Sequence, residues 1–315
     1  MMRRAEMRPG RAAPPRVSES IESRENRWLK RFRVGLSGEI FPHRFEFEET
    51  AGVEGARLVE TALRSGVEVL AVLFSETGAQ HISRLGPWIP AGARLLRTSD
   101  RLFASASGTE TPQGIAALVR PRAGTFDDLL TGIPLVLLLA GVQDPGNVGT
   151  LVRTAEAFGA SGIAACAAGA IGTANPYAPK ALRASAGSAL RVPIVRGISA
   201  PVLLAQLKVA GVRIYAACPE DVFDGGLDGA ATRPFNPWEI DWRAPAALLV
   251  GNEGAGLPTA LVRSADAIVR IPHTPRALDA DATQTQREDS PRESLNAGVA
   301  GSILLYEAAR QRGLG

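Results

Sequence analysis

Only two cysteines, Cys166 and Cys218, occur in the 315 residues of this chain, far apart and without Cys-x-x-Cys spacing. That count excludes both a zinc knuckle and the disulfide framework of a small secreted protein, and two reduced thiols are expected. Histidine is as scarce. His43, His81 and His273 are widely separated, which leaves little from which to assemble a metal site or a Ser-His-Asp triad, so no metal is expected. No apolar run approaches the roughly 20 residues that a bilayer crossing needs, because Leu135 to Ala140 is soon broken by Gly141, Asp144 and Pro145. Met1 to Arg16 is basic and lacks the apolar core of a signal peptide. A cytoplasmic protein with no membrane partner is therefore expected.

What is present is length enough for two compact units plus a tail. The formal charge of +3 hides an asymmetry: Met1 to Arg33 carries ten Arg or Lys against four Glu, a net +6, and the remainder sums to −3. This basic arm over residues 1–33 reads either as an accessory RNA contact, since Arg and Lys release counterions from phosphates, or as a solvated, disordered leader.

A first folded domain is expected over residues 34–122. Leu58, Val59, Ala62 and Leu63 recur at helical spacing until Gly66, Val67 to Phe74 reads as a buried strand, and Ile115 to Val119 as another. Residues 123–133 lose periodicity and read as a linker. A second domain, 134–315, then alternates strands at Leu135–Leu139, Gly162–Ala165, Val212–Ala217, Ala246–Val250 and Ala267–Ile271 with helices at Gly149–Phe158, Val202–Val209 and Leu295–Arg310. Continuous apolar strands separated by helices imply an α/β fold with a parallel sheet covered on both faces.

Ligands collect at the carboxyl ends of strands in such sheets, and three segments stand there. The first runs Gly141-Val142-Gln143-Asp144-Pro145-Gly146-Asn147-Val148-Gly149 into a helix bearing Arg153, where Asn147 reads equally as a helix cap or as a site residue. The second is Gly251-Asn252-Glu253-Gly254-Ala255-Gly256-Leu257-Pro258; it lacks the Gly-Lys-Ser/Thr ending of a phosphate loop, and the first strand is not followed by Gly-x-Gly-x-x-Gly. The third is Ile271-Pro272 together with Ser294-Leu295-Asn296 ahead of Ala297-Gly298-Val299-Ala300, where Ser294 reads as a cap and the small residues as a packing face.

In order and spacing these segments resemble the SpoU/TrmH branch of the SPOUT methyltransferases. The first motif is matched by Asn147, Gly149 and Arg153, the second by Gly251, Asn252, Glu253 and Gly254, and the third by Ile271-Pro272 and Ser294-Leu295-Asn296. Asn175 to Pro193, with Lys180, Arg183 and Ser185, is similar to the segment between the first two. The resemblance implies a deep trefoil knot in the C-terminal part, an exception to the usual rule. It also implies S-adenosylmethionine as cofactor, a homodimer whose active site spans two subunits, and an N-terminal ribosomal-protein-like substrate-binding module around Val53-Glu54-Gly55 and Thr111-Pro112-Gln113-Gly114. Carried over onto this chain, Gly251, Asn252, Gly254, Ile271 and Leu295 hold the cofactor, and Asn147, Arg153, Glu253, Ser294 and Asn296 form the catalytic set. The implied reaction is 2′-O-ribose methylation of RNA, ribosomal RNA of the 23S type ahead of transfer RNA. The rival reading is a knotted RNA-binding protein of ribosome assembly without catalysis. The chain departs from the pattern in the long polar stretch 274–292, which reads as a disordered insertion. A surface excursion is ranked first, a lid second and a lesion in cofactor binding third.

Overall fold

The computed structural model describes residues 17–37, 50–219, 234–272 and 295–313. The insertion 274–292, Ser294 and residues 1–16 lie outside the described residues. The chain divides into two units: the described residues up to Ala123 with Asn175–Val192, and Gly124–Ala174 with the described residues from Pro193 onward.

The first unit contains β1 (Glu19–Ile21), α1 (Arg27–Ser37), β2 (Ala51–Glu54), α2 (Ala56–Arg64), β3 (Glu68–Phe74), α3 (Ala79–Leu85), β4 (Arg94–Thr98), α4 (Asp100–Ala104) and β5 (Ile115–Arg120). Its five strands form a mixed sheet in the order β1-β4-β3-β5-β2, with β5 antiparallel to both of its neighbours. Residues 17–33, which composition assigned to a basic tail, here build β1 and most of α1. Charge masked an amphipathic helix. Trp28, Leu29, Phe32 and Leu36 recur at helical spacing, are buried, and pack with Leu73, Leu96 and Leu118, each large side chain contributing roughly 1.5–3 kcal/mol of burial.

The second unit contains α5 (Phe126–Leu129), β6 (Leu135–Ala140), α6 (Pro145–Ala157) and β7 (Gly162–Cys166). The chain then gives α7 (Pro179–Ala184) to the first unit and returns through β8 (Ile194–Arg196), α8 (Ala200–Val209), β9 (Arg213–Ala217), β10 (Ala246–Val250), α9 (Thr259–Arg263), β11 (Ala267–Val269) and α10 (Ala297–Gln311). The expected linker is partly structured: Thr125 and Asp128 form a capping box on α5, whose Leu129 is buried in the core of this unit. The segment Asn175–Val192, read from sequence with the second domain, sits on α2 of the first unit. Gly187 allows this, because a β-carbon there would lie 2.6 Å from Thr61 Cγ2 and its φ is +79°.

Six parallel strands run β11-β9-β10-β6-β7-β8. All six residues of β6 and all five of β10 are buried, as strands covered on both faces must be, and this is why their sequences are unbroken apolar runs. From β6 the chain passes to β7 on one side, whereas β10 arrives beside β6 from the other. The strand order therefore reverses between β6 and β10, and a ligand crevice is expected at the carboxyl ends of that pair. Cys166 and Cys218 are free and buried; burial pushes their thiols up to about 11 and about 12.

Candidate active site at the reversal point of the second sheet

Strands β6 and β10 pair in register, Leu139 opposite Val250, so the first and second motif loops leave the sheet side by side. Gly141 turns the first loop with φ +79°, a conformation that favours glycine. Its N–H donates to Thr173 Oγ1 at 2.8 Å, and that hydroxyl also lies 2.9 Å from the Leu139 carbonyl and 2.6 Å from that of Cys166. Thr173 thus binds the ends of β6 and β7 to the loop. Asp144 caps α6 by accepting from Gly146 N at 3.0 Å, with Pro145 in the first turn. The cap reading of Asn147 is therefore replaced: Asp144-Pro145 is the start signal, and Asn147 is the third residue of the helix, in its first turn.

In that position Asn147 is 9 % exposed and its amide donates to Glu253 Oε1 at 2.8 Å. The Glu253 carboxylate also accepts from the main-chain N–H groups of Gln143 and Asp144, each at 3.3 Å. Burial acts to raise its proton affinity, but the Asn147 amide and these N–H groups outweigh it and hold the carboxyl below the ordinary glutamate range. Asn252 closes the second loop on itself. Its Oδ1 accepts from Gly254 N at 2.9 Å and Ala255 N at 2.8 Å, while its amide donates to Gly141 O at 2.9 Å and Gln143 Oε1 at 3.2 Å. Gly251 lies beneath this turn, where a β-carbon would come within 2.7 Å of the Gly256 carbonyl and of Leu257 Cγ. At Gly254 a β-carbon would meet only Asn252 Oδ1, at 3.7 Å. The turn is fixed from inside and its outer rim, Glu253 to Ala255, is exposed.

The last helix joins the pair through small residues. Asn296 caps α10, accepting from Gly298 N at 2.8 Å and Val299 N at 3.2 Å; the cap is Asn296, whereas Ser294, expected in that role, lies outside the described residues. A β-carbon on Gly298 would stand 3.1 Å from Asn147 Oδ1, and one on Gly301 2.4 Å from Leu151 Cδ2. The small-residue face expected at Ala297 to Ala300 thus continues to Gly301 and lets α10 approach α6 closely, with Thr154 and Ser302 hydroxyls 2.9 Å apart. Ile271 follows β11 and is half-buried, and Leu295 precedes the cap and is exposed.

Asn147, Asn252 and Glu253 are therefore brought together, and Asn296 is placed at the helix that packs on Asn147. Arg153 is not joined to them. Six residues beyond Asn147, it is about 9 Å along α6 and about 120° around it; it is exposed and makes no hydrogen bond or ion pair among the described residues. On α10, which packs against α6, Val299, Ile303 and Tyr306 are 46 %, 39 % and 47 % exposed. Sequence reasoning missed Thr173, which no motif flags, and the Asp144-Pro145 cap, which a helix-start search finds.

Residues 134–278 match the model of the SpoU rRNA Methylase family, and residues 46–117 that of an MRM3-like substrate binding domain. The 23S rRNA (guanosine(2553)-2′-O)-methyltransferase RlmP of Bacillus subtilis is 34% identical over 255 residues, covering 81% of this chain and 86% of that protein. Among solved structures, the AdoMet-bound rRNA methyltransferase from Sinorhizobium meliloti superposes with a TM-score of 0.70 at 28% identity, covering 92% of this chain and 97% of that one. The SpoU methyltransferase AviRb from Streptomyces viridochromogenes, in complex with AdoMet, gives 0.71 at 25% identity, with 91% and 98% covered. With the sheet, the loop order and these likenesses in agreement, the chain belongs to the SpoU rRNA methylase family.

Proposed function

We propose that this protein transfers a methyl group from S-adenosylmethionine to a ribose 2′-hydroxyl of ribosomal RNA, of the 23S type. The observation that carries the reading is the Asn147–Glu253 bond, which locks the first two motif loops together at the reversal point of a parallel sheet. Support comes also from relatives named as 23S rRNA 2′-O-methyltransferases and from neighbours crystallised with AdoMet. Nothing in these relatives favours the rival reading of a non-catalytic RNA-binding protein. The reading places the protein in the cytoplasm with its RNA.

The residues present fit the cofactor: the rim at Gly254 is open and the turn beneath it is held rigid by Asn252. Main-chain groups of Gly251, Asn252, Gly254, Ile271 and Leu295 would hold it, inside the knot that the family likeness implies. When bound, it supplies an electrophilic methyl on a sulfonium. Such transfer asks for in-line alignment and a hydroxyl relieved of its proton, so positioning carries most of the catalysis. A guanidinium group is a donor only and makes a poor base, so Arg153 is assigned to orient a phosphate and to stabilise the developing alkoxide. Glu253, ionised and triply bonded, holds Asn147 and the loop in register; Asn296, the cap of α10, is assigned to the same task, as is Ser294.

The homodimer belongs to this reading. Arg153, which makes no hydrogen bond or ion pair among the described residues, and the apolar stripe Val299, Ile303 and Tyr306 lie on two helices that pack together, and a second copy would cover the stripe and bring its Arg153 to the loops. Calorimetry with S-adenosylmethionine and a methyl-transfer assay on Arg153→Ala test the assignment. Intact cofactor affinity with transfer reduced at least about a hundredfold is expected; transfer near the parent rate would remove Arg153 from the site.

A further inference from the structure

The first unit holds a cleft of about 970 Å³, at the upper end of what ligand pockets occupy. Its wall carries three arginines, Arg57 from the first turn of α2, Arg84 from α3 and Arg183 from α7, with His81 of α3 among them. The acids nearby are already committed. Glu54 on the lining accepts from Ser107 Oγ at 2.6 Å, Thr109 Oγ1 at 2.7 Å and Gly108 N at 3.0 Å, and Glu60 pairs with Arg84 and Arg64. Arg57 and Arg183 are exposed and make no ion pair among the described residues. Gln113, whose Oε1 accepts from Ala56 N at 2.9 Å, and Gln80 add amide groups to the lining. Among the described residues this concave wall offers two unpaired guanidinium groups, a histidine and amides, and no unengaged carboxylate, which suits a phosphodiester chain with an unstacked base.

We propose that this cleft grips the backbone of the RNA substrate, and that Arg183 completes it. The proposal rests on the reading of the protein as an RNA methyltransferase. Arg183 lies outside the 46–117 stretch matched as a substrate-binding domain and inside the 134–278 methylase stretch. The cleft therefore uses a residue that the boundary between the two matched regions assigns to the other part. Its position depends on Gly187, three residues past α7, where any side chain would strike Thr61 and Leu58.

Arg57→Gln, Arg183→Gln and the double variant, in the full chain, test this. Each is titrated with a 23S rRNA transcript over a range of salt, with S-adenosylmethionine calorimetry and thermal unfolding alongside. For a single-stranded contact each lost arginine removes about 0.7 from the slope of log affinity against log salt, so the double variant loses about 1.4. Unchanged melting and cofactor affinity, with binding weakened roughly tenfold and the slope reduced by that amount, support the cleft. A double variant that melts normally and binds the transcript with the parent's slope and affinity overturns it, while parent methylation of the same transcript leaves the functional reading standing. A parent that neither binds nor methylates the transcript overturns both. Gly187→Val is the second arm: displacement of α7 should reproduce the Arg183→Gln slope, and a parental slope there counts against the proposal.

Discussion

Replacing Asn147 by Asp changes one group in the bond that links the two motif loops and leaves its shape nearly unaltered. In the parent the Asn147 amide donates to Glu253 Oε1 at 2.8 Å. In Asn147→Asp two carboxylates face each other at that separation. Coulomb's law gives about 1.5 kcal/mol of repulsion at the dielectric of water and about 6 at an effective value near 20. The exposed side of Glu253 puts the interaction toward the lower end, near 2 kcal/mol, and loss of a bond to a charged acceptor adds about 1.5. A deficit of about 3.5 kcal/mol at neutral pH is expected. The pH dependence distinguishes this cause from simple loss of packing. In the parent, Glu253 titrates below its ordinary range, so it contributes stability that is present above its unfolded pKa and lost as pH falls through the folded value. In the variant the facing carboxylates raise one another's proton affinity, so protonation in the acid range relieves the repulsion. The gap between the two proteins should therefore be widest at neutral pH and narrow as pH falls into the carboxylate range. Urea unfolding of both proteins across that range measures it. A deficit that stays constant with pH, or none at all, would refute the electrostatic account.

Four further outcomes follow from the geometry. Gly251→Val should lower both unfolding temperature and S-adenosylmethionine affinity, because its side chain meets the Gly256 carbonyl. Gly254→Val should lower affinity alone, and an unchanged dissociation constant there would take the rim out of the site. Arg312 donates to the carbonyls of Trp242, Ile133, Pro134 and Ala244 at 2.6–2.9 Å; Arg312→Ala should cost about 3 kcal/mol in denaturant unfolding, and a loss under about 1 kcal/mol would show that water replaces those bonds. Mixing inactive Arg153→Ala with inactive Glu253→Gln should restore about a quarter of parent activity after subunit exchange, since half the dimers are mixed and each mixed dimer has one intact site. No recovery despite exchange would confine the site to one chain.

The second sheet was legible because strands buried on both faces leave unbroken apolar runs, as Leu135 to Leu139 and Ala246 to Val250 do. The strand at Ile194–Arg196 and helix α7 were not singled out, being short and lacking a periodic apolar face. Helix α1 was obscured by its own arginines, although Trp28, Leu29, Phe32 and Leu36 carried the period. At the site, Asn147, Asn252 and Glu253 were readable from motif order. Their hydrogen bonds were not, since Glu253 reaches across more than a hundred residues to Asn147 and the Gln143 and Asp144 N–H groups. Gly251 was assigned to holding the cofactor; the atoms nearest its missing β-carbon belong to its own loop. Glycine marks a close approach in a sequence without naming what approaches.

The central claim is tested most directly by incubating the protein with methyl-labelled S-adenosylmethionine and unmodified 23S rRNA, then mapping the label by resistance of the adjoining phosphodiester to alkaline cleavage. The account predicts label at a ribose 2′-oxygen, lost in Arg153→Ala. Label on a base, or none under conditions where the cofactor is bound, would contradict it.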